Sequence, residues 1–265
     1  MVVCHLIGCK LAVPLDAELI LPGEDEIAAA QRLLERVFVN YRRFFDVVVG
    51  DALYNRASFI NLCLGRRSHF IAVLKNNNKS LVEDLEGLIK LVRPKLWEEA
   101  RVKVAGWDIE GFHHTGVNKP VRVLHTQETE TKRQRVGGQW REKTETHTWS
   151  WVTDITKQAL SAPILRQAAH RRWDIENDLF GYLVTHYGLN HCFKHHPTAI
   201  INFILTLFIA YILLQCFYQR NLKPQLVTKL NLTLIAVSAK LYQGLADPQL
   251  HAPWLWYVSD LPPPQ

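Results

Sequence analysis

Three side chains in this 265-residue sequence have the types and the spacing for chemistry: Asp51, Arg172 and Glu176. Asp51 follows Phe45-Asp46-Val47-Val48-Val49-Gly50, whose three consecutive valines read as a strand buried on both faces. A carboxylate at the carboxyl tip of such a strand is where α/β folds place chemistry. It would serve equally as a cap for the turn or helix that follows, at about residues 56–64. Arg172 and Glu176 stand four apart in Arg171-Arg172-Trp173-Asp174-Ile175-Glu176-Asn177. On an α-helix that step puts both on one face, so the guanidinium can steady the carboxylate. Phe180 and Leu183 continue that face, while Trp173, Ile175 and Leu179 ask for packing on others. A carboxylate on so apolar a helix needs a partner, a cation or a metal. The plainer alternative is an exposed intrahelical ion pair, which contributes little.

Two groups of cations accompany these residues. Lys75 and Lys79 follow a second buried strand, residues 69–74, and fall at the same sheet edge as Asp51, where they suit phosphates or a solvated loop alike. Lys132, Arg133, Arg135, Arg141 and Lys143 surround Trp140 at the tip of a β-rich segment and suit a nucleic acid, with a solvated face as the alternative. Four histidines, His186, His191, His195 and His196, gather further on without the acidic or cysteine spacing of a zinc site. Cys4, His5 and Cys9 likewise have no second half with zinc spacing.

The elements that must position these groups follow from pattern. Residues 1–7 and a second run to about 20 read as a β-hairpin turning at Gly8-Cys9-Lys10, with Pro14 at an edge or bulge. Glu24, Asp25 and Glu26 open a helix to about Tyr41. Ser80 and Glu83 have capping-box spacing for a helix to about Leu91. Between residues 101 and 155 the period changes to two, with turns at Gly116, Asn118-Lys119-Pro120 and Gly137-Gly138, the pattern of an antiparallel β insertion. A helix from about Leu160 runs through the Arg172 motif toward Tyr187, and a break at Gly188-Leu189-Asn190-His191 precedes an apolar helix opened by Pro197. Residues 199–218 carry no charge and are long enough to span a bilayer. The favoured reading is instead a core helix buried all round, with a membrane not expected as a partner.

Composition sets the bounds. Hydrophobic residues make up 48% and charged residues 21%, so the chain is globular and has enough apolar surface for a sizeable core. A net charge of +6 permits a polyanionic partner without requiring one. Five scattered cysteines suit reduced thiols in the cytoplasm better than a disulfide framework. The amino terminus has no basic run ahead of its apolar residues, which argues against a secretory signal.

The order hairpin, helix, strand ending in aspartate, helix, strand, β insertion and Arg-x-x-x-Glu helix resembles the DDE transposases of bacterial insertion sequences. The resemblance is to the group with a β domain inserted before the glutamate. It rests on Val49-Gly50-Asp51-Ala52-Leu53-Tyr54, on Arg171 to Asn177 with Phe180, and on Leu189-Asn190-His191. It implies an α/β, ribonuclease H-like mixed sheet flanked by helices, in which three carboxylates hold two divalent metals, Mg²⁺ or Mn²⁺. Two hard cations require several oxygens and serve phosphodiester displacement. Asp51 would be the second carboxylate and Glu176 the third, both as metal ligands. Arg172 would position Glu176 or a phosphate, and Lys75, Lys79, Lys132, Arg133, Arg135, Arg141 and Arg171 would contact DNA.

Departures accompany the matches. Where the family often has a tyrosine three residues before the arginine and a lysine seven after the glutamate, this sequence has Ala169 and Leu183. The first aspartate, which the family carries on the central strand ahead of the hairpin, has no counterpart, and Asp16 and Glu18 lie on the wrong strand. The resemblance therefore implies a transposase shortened at its amino terminus, with the first, central strand missing. The expected divisions are 1–95 and 156–222 for the ribonuclease H-like core, 96–155 for the inserted β subdomain, and 223–265 for a tail. Double-stranded DNA, as transposon ends and target, is the expected partner, with a homodimer or pairing with an intact transposase besides. The expected function is metal-dependent DNA cleavage and strand transfer by a chain inactive on its own. The alternative is a non-catalytic DNA-binding or subunit-pairing remnant that modulates an intact enzyme.

Overall fold

The computed structural model describes residues 1–8, 11–76, 78–136, 139–192 and 194–246. Cys9 and Lys10 of the expected hairpin turn, the Gly137-Gly138 turn and the tail from residue 247 lie outside the described residues. The described residues form two units, one made of Met1–Pro22 with those from Asp174 to Ala246, the other of Gly23–Trp173.

The smaller unit begins with the expected hairpin, β1 (Val2–Leu6) and β2 (Val13–Glu18), antiparallel. The register shifts between Cys4 and His5, and Pro14 lies opposite His5, so the proline without an N–H sits at the irregularity where a ladder bond is dispensable.

The larger unit starts with α1 (Glu26–Tyr41), capped by Asp25, whose carboxylate accepts the Ala28 N–H. Ile27, Ala30, Leu34, Val37 and Phe38 recur at helical spacing and form its buried face. β3 (Val47–Gly50), α2 (Ala57–Gly65), β4 (His69–Val73) and α3 (Lys79–Ile89) follow. The cap of α3 is Asn78, whose side chain faces the Leu81 N–H at 3.4 Å; this corrects the capping box expected of Ser80 and Glu83. An Asx side chain at that position already meets the first free N–H, and Ser80 falls inside the helix instead.

The segment with period-two alternation forms β5 (Lys95–Glu99), β6 (Val102–Phe112), β7 (Val121–Val136) and β8 (Gln139–Thr153). The sheet order is β3-β4-β8-β7-β6-β5. Among the described residues only β3 and β4 run parallel, and β8 returns to pair with β4 at Ile71–Val73, so the antiparallel strands continue the same sheet. β3 was read as buried on both faces, yet among the described residues it is the edge strand, and its valines are only half-buried. Three valines in a row meet half-burial as readily as full burial, so neither face carries a polar marker that distinguishes the two.

One face of the sheet is covered by α4 (Ala162–His170). Ala162, Leu165 and Ala169 join Ile71, Val73, Leu124, Trp151 and Ile155 in a core cluster. Arg122, 2% exposed, binds both Asp108 oxygens at 2.7 and 3.0 Å and donates to the carbonyls of Ile155 and Leu160, which fixes the chain entering α4.

α4 does not run on as the uniform helix expected. It tightens to a 3-10 turn at Arg171–Trp173 and then widens to a π turn at Ile175–Phe180 before α5 (Gly181–Tyr187). The Gly181 N–H reaches the Glu176 carbonyl, five residues back, which marks the extra residue of the π turn. Arg172 and Glu176 are therefore not related by a plain four-residue α-helical step. In the smaller unit this segment buries Leu179 and Leu183 against Ala17, Ile204, Phe208 and Tyr211. Gly188, at φ +64°, ends α5 in a left-handed cap.

Pro197 opens α6 (Pro197–Asn221), and α7 (Pro224–Lys229) and α8 (Leu234–Ala246) follow. α6 is long and apolar enough to cross a membrane by length and composition. The expectation of burial all round is corrected: only the stripe Ile204, Phe208, Tyr211 and Gln215 is buried, while Ile209 and Leu213 are 59% and 63% exposed. β2 and the π segment cover one side of the helix; Gln215 exchanges two hydrogen bonds with the Ala12 backbone, at 2.7 and 2.9 Å.

Candidate metal and nucleic-acid site

β3 hands Asp51 to a 3-10 turn, Ala52–Tyr54, and the Asp51 carboxylate accepts the Leu53 N–H at 2.8 Å. The cap is real, and it employs one oxygen of the carboxylate. The turn folds Tyr54 back over the strand end: a Cβ on Gly50 would lie 2.9 Å from Tyr54 Cβ, so glycine is needed ahead of the aspartate. The Tyr54 hydroxyl donates to Glu26 Oε1 at 2.7 Å and so anchors the turn to α1. Burial raises the Tyr54 pKa, and the bond to Glu26 and the charges of Glu26 and Asp51 raise it further, so the phenol stays protonated. The Val-Gly-Asp-x-x-Tyr sequence is thus a turn that presents a carboxylate and pins it through a phenol.

Because β3 and β4 are parallel, Asp51 and Lys75 leave the sheet at the same end. Lys75 and Lys79 are exposed. Their loops are joined from beneath by a buried residue that no sequence pattern announced. His114 Nε2 lies 2.9 Å from Asn55 Oδ1 and 3.1 Å from Asn78 Nδ2. Burial pushes the His114 imidazole down, which keeps it a neutral hydrogen-bonding spacer. Asn55 closes the Asp51 turn and Asn78 caps α3, so one imidazole sets the spacing of the two loops.

The second motif begins in the larger unit, with Arg171 exposed, Arg172 half-buried and the Arg172 guanidinium 4.0 Å over the Trp173 ring. Glu176 belongs to the smaller unit, in the first turn of the π segment, and its side chain is exposed. Asp51 and Glu176, the carboxylates the resemblance pairs as metal ligands, come from different units.

Beyond Glu130, where β6 ends, β7 and β8 go on as a two-stranded ribbon. Lys132 stands opposite Lys143, Arg133 opposite Glu142 and Arg135 opposite Trp140. Lys132 pairs with Glu130 at 2.8 Å and Lys143 with Glu145 at 2.6 Å, both in the open. Trp140 is 69% exposed, an indole with no core to fill. This places a stacking surface among guanidinium and ammonium groups.

At the root of the same strand lies a cluster that pattern reading missed. The Glu128 carboxylate accepts Arg166 Nε at 2.8 Å and Nη2 at 2.6 Å, lies 3.0 Å from His170 Nε2, and accepts the Thr126 hydroxyl at 2.9 Å. Arg166 also reaches Glu99 at 3.0 Å. Burial alone would raise the Glu128 pKa; the hydrogen bonds and charges of His170 and Arg166 outweigh it and hold the acid down at about 2.

Among the described residues no three His, Cys, Asp or Glu side chains gather as a metal cage. Burial and the charge of Asp16 push the Cys4 thiol up to about 12, so it is a poor source of the thiolate a zinc site needs. Asp51 fits a hard cation better: it is a carboxylate at a strand tip with an oxygen beyond the one the Leu53 N–H uses.

A helix-flanked mixed α/β sheet that delivers an aspartate from a parallel strand pair is consistent with a ribonuclease H-like fold. The sequence matches the family described as Transposase DDE domain over residues 4–213, most of the chain, and the chain belongs to that family. No curated protein matches the sequence. Family membership supports a function in DNA transposition, an enzyme activity of that kind, DNA as substrate and divalent metals in general.

Proposed function

We propose that the chain is an insertion-sequence transposase domain in which Asp51 and Glu176 hold Mg²⁺ or Mn²⁺ and Arg172 holds a DNA phosphate. The observation that carries this reading is the Asp51 turn, which presents a carboxylate at the end of a parallel strand pair within a chain of this family. Bound divalent metal supplies activation of the attacking oxygen and charge for the departing one in phosphodiester displacement. The chain's own residues do the rest. Asp51 and Glu176 offer hard oxygens, Arg172 presents a planar guanidinium, and Arg171, Lys75, Lys79, Lys132, Arg133, Arg135 and Arg141 hold the phosphate backbone.

Two matched carboxylates do not complete a three-carboxylate site, so the chain alone binds metal and DNA without efficient cleavage. Pairing with an intact transposase would restore it, while a homodimer of this chain would add DNA-binding surface without completing the site. The cysteines described, Cys4, Cys63, Cys192 and Cys216, are free thiols, which fits the cytoplasm. The test is calorimetric titration of Mn²⁺ into the chain and into its Asp51→Ala and Glu176→Ala forms, beside a Mn²⁺-dependent nicking assay. Metal uptake lost in both variants, with nicking near background throughout, is the expected result; uptake unchanged by either variant sinks the assignment.

The exposed Trp140 and the cations around it favour a second reading, a non-catalytic DNA-binding remnant that modulates an intact enzyme. DNA binding with no metal uptake selects it.

A further inference from the structure

Beneath α4 a row of side chains runs from the sheet to the motif arginine. Thr126, Leu124 and Glu128 of β7 stand opposite Trp149, Trp151 and His147 of β8. Glu128, 6% exposed, grips Arg166 and His170 of α4. The His170 ring is set edge-on to both Trp151, at 5.0 Å, and Trp149, at 5.4 Å. Trp149 in turn meets Trp173 edge-on at 6.3 Å, and Trp173 lies under the Arg172 guanidinium. Each step is a directed contact: a charge-assisted hydrogen bond, three edge-to-face ring pairs and a cation over a ring.

We propose that Glu128, His170, Trp149 and Trp173 are positioning residues that hold the Arg172 guanidinium in the orientation that accepts a DNA phosphate. The inference rests on the proposed role of Arg172. A long arginine side chain on a 3-10 turn has many rotamers to lose on binding, and a ring fixed beneath it removes most of them beforehand. The network supplies the fixing: Glu128 is anchored in the sheet, and His170 and Trp149 transmit its position to a ring that is 37% exposed and has little core of its own to hold it.

The test is a salt titration of affinity for a fluorescein-labelled 20-base-pair duplex of arbitrary sequence, read by anisotropy with the full chain. Arg172→Ala is expected to weaken binding about tenfold and to lower the slope of log affinity against log salt by about one phosphate. Trp149→Ala removes no charge, yet it is expected to lower that slope too. Arg172→Ala with Trp149→Ala together should bind no more weakly than Arg172→Ala alone. Trp149→Phe, which keeps an aromatic edge, should restore most of the slope. A correctly folded Trp149→Ala chain with an unchanged slope, or additive losses in the double variant, overturns the inference. If Trp149→Ala does not fold, Trp173→Ala at the exposed end of the row takes its place, with the same expected loss and the same overturning result. A wild-type chain that does not bind the duplex overturns the DNA reading itself. A wild-type chain that binds, with Arg172→Ala binding equally well, overturns only the role of Arg172 and the row behind it.

Discussion

Glu128 and Glu130 lie two residues apart on β7, on the same face of the sheet, and each meets a cation, yet they live in different worlds. Glu128 is under α4, with Arg166, His170 and Thr126 around it. Glu130 is at the start of the bare ribbon and meets Lys132, whose side chain is 61% exposed. Burial makes the first pair directional and costly to break; water screens the second. One helix passing overhead decides which acid is structure and which is surface.

The largest effect expected from that difference is at Glu128. Glu128→Ala leaves Arg166 buried with only Glu99 as counter-charge, and chemical denaturation should show a loss of about 3 kcal/mol. A loss indistinguishable from that of Glu130→Ala would break the comparison. The pH dependence sharpens it. The folded Glu128 pKa, about 2, is below the ordinary value of 4.5, so its contribution is complete above pH 4.5 and is lost as pH falls toward 2. That loss is on the order of 3 kcal/mol, and Glu128→Gln should flatten this part of the stability curve.

A contact without charge gives the next effect. Gly50→Ala forces its methyl group onto Tyr54, and a loss of about 1–3 kcal/mol is expected in the same denaturation measurement. If space rather than charge governs there, Tyr54→Phe, which keeps the ring and drops only the bond to Glu26, should lose less than Gly50→Ala does. The smallest effect is at the ribbon. Glu130→Gln should leave the thermal midpoint in place at 0.5 M salt, where exposed pairs are screened within a few ångströms.

What the sequence disclosed and what it hid divide along a similar line. Asp25 at the start of α1, Gly188 and Pro197 between α5 and α6, and the alternation from Val121 to Thr153 are local signals, and the elements formed where those signals fall. Asp51 was legible because a valine run, a glycine and an aspartate lie within five residues. Glu128 was not, since Thr-Gln-Glu-Thr-Glu-Thr reads as a uniformly polar strand and Arg166 is 38 residues away. His114 was hidden for the same reason, its partners Asn55 and Asn78 coming from two other loops. The 3-10 and π turns around Arg172 left no trace in apolar spacing, because a change of pitch over a few residues mimics ordinary variation in side-chain pattern. α6 hid its buried stripe by being apolar on every side, which leaves no periodic contrast to read.

The ribbon beyond Glu130 has a mechanical consequence. Six residues of β7, from Thr131 to Val136, project past the end of β6, about 20 Å of strand at the usual rise. It projects from Glu130, just beyond the Glu128 clamp. A bend of about 10° at its root would carry the tip about 3 Å, roughly the spacing of successive base pairs. If the ribbon holds DNA as proposed, a small change of angle at the root would shift the far end by a whole step along the duplex.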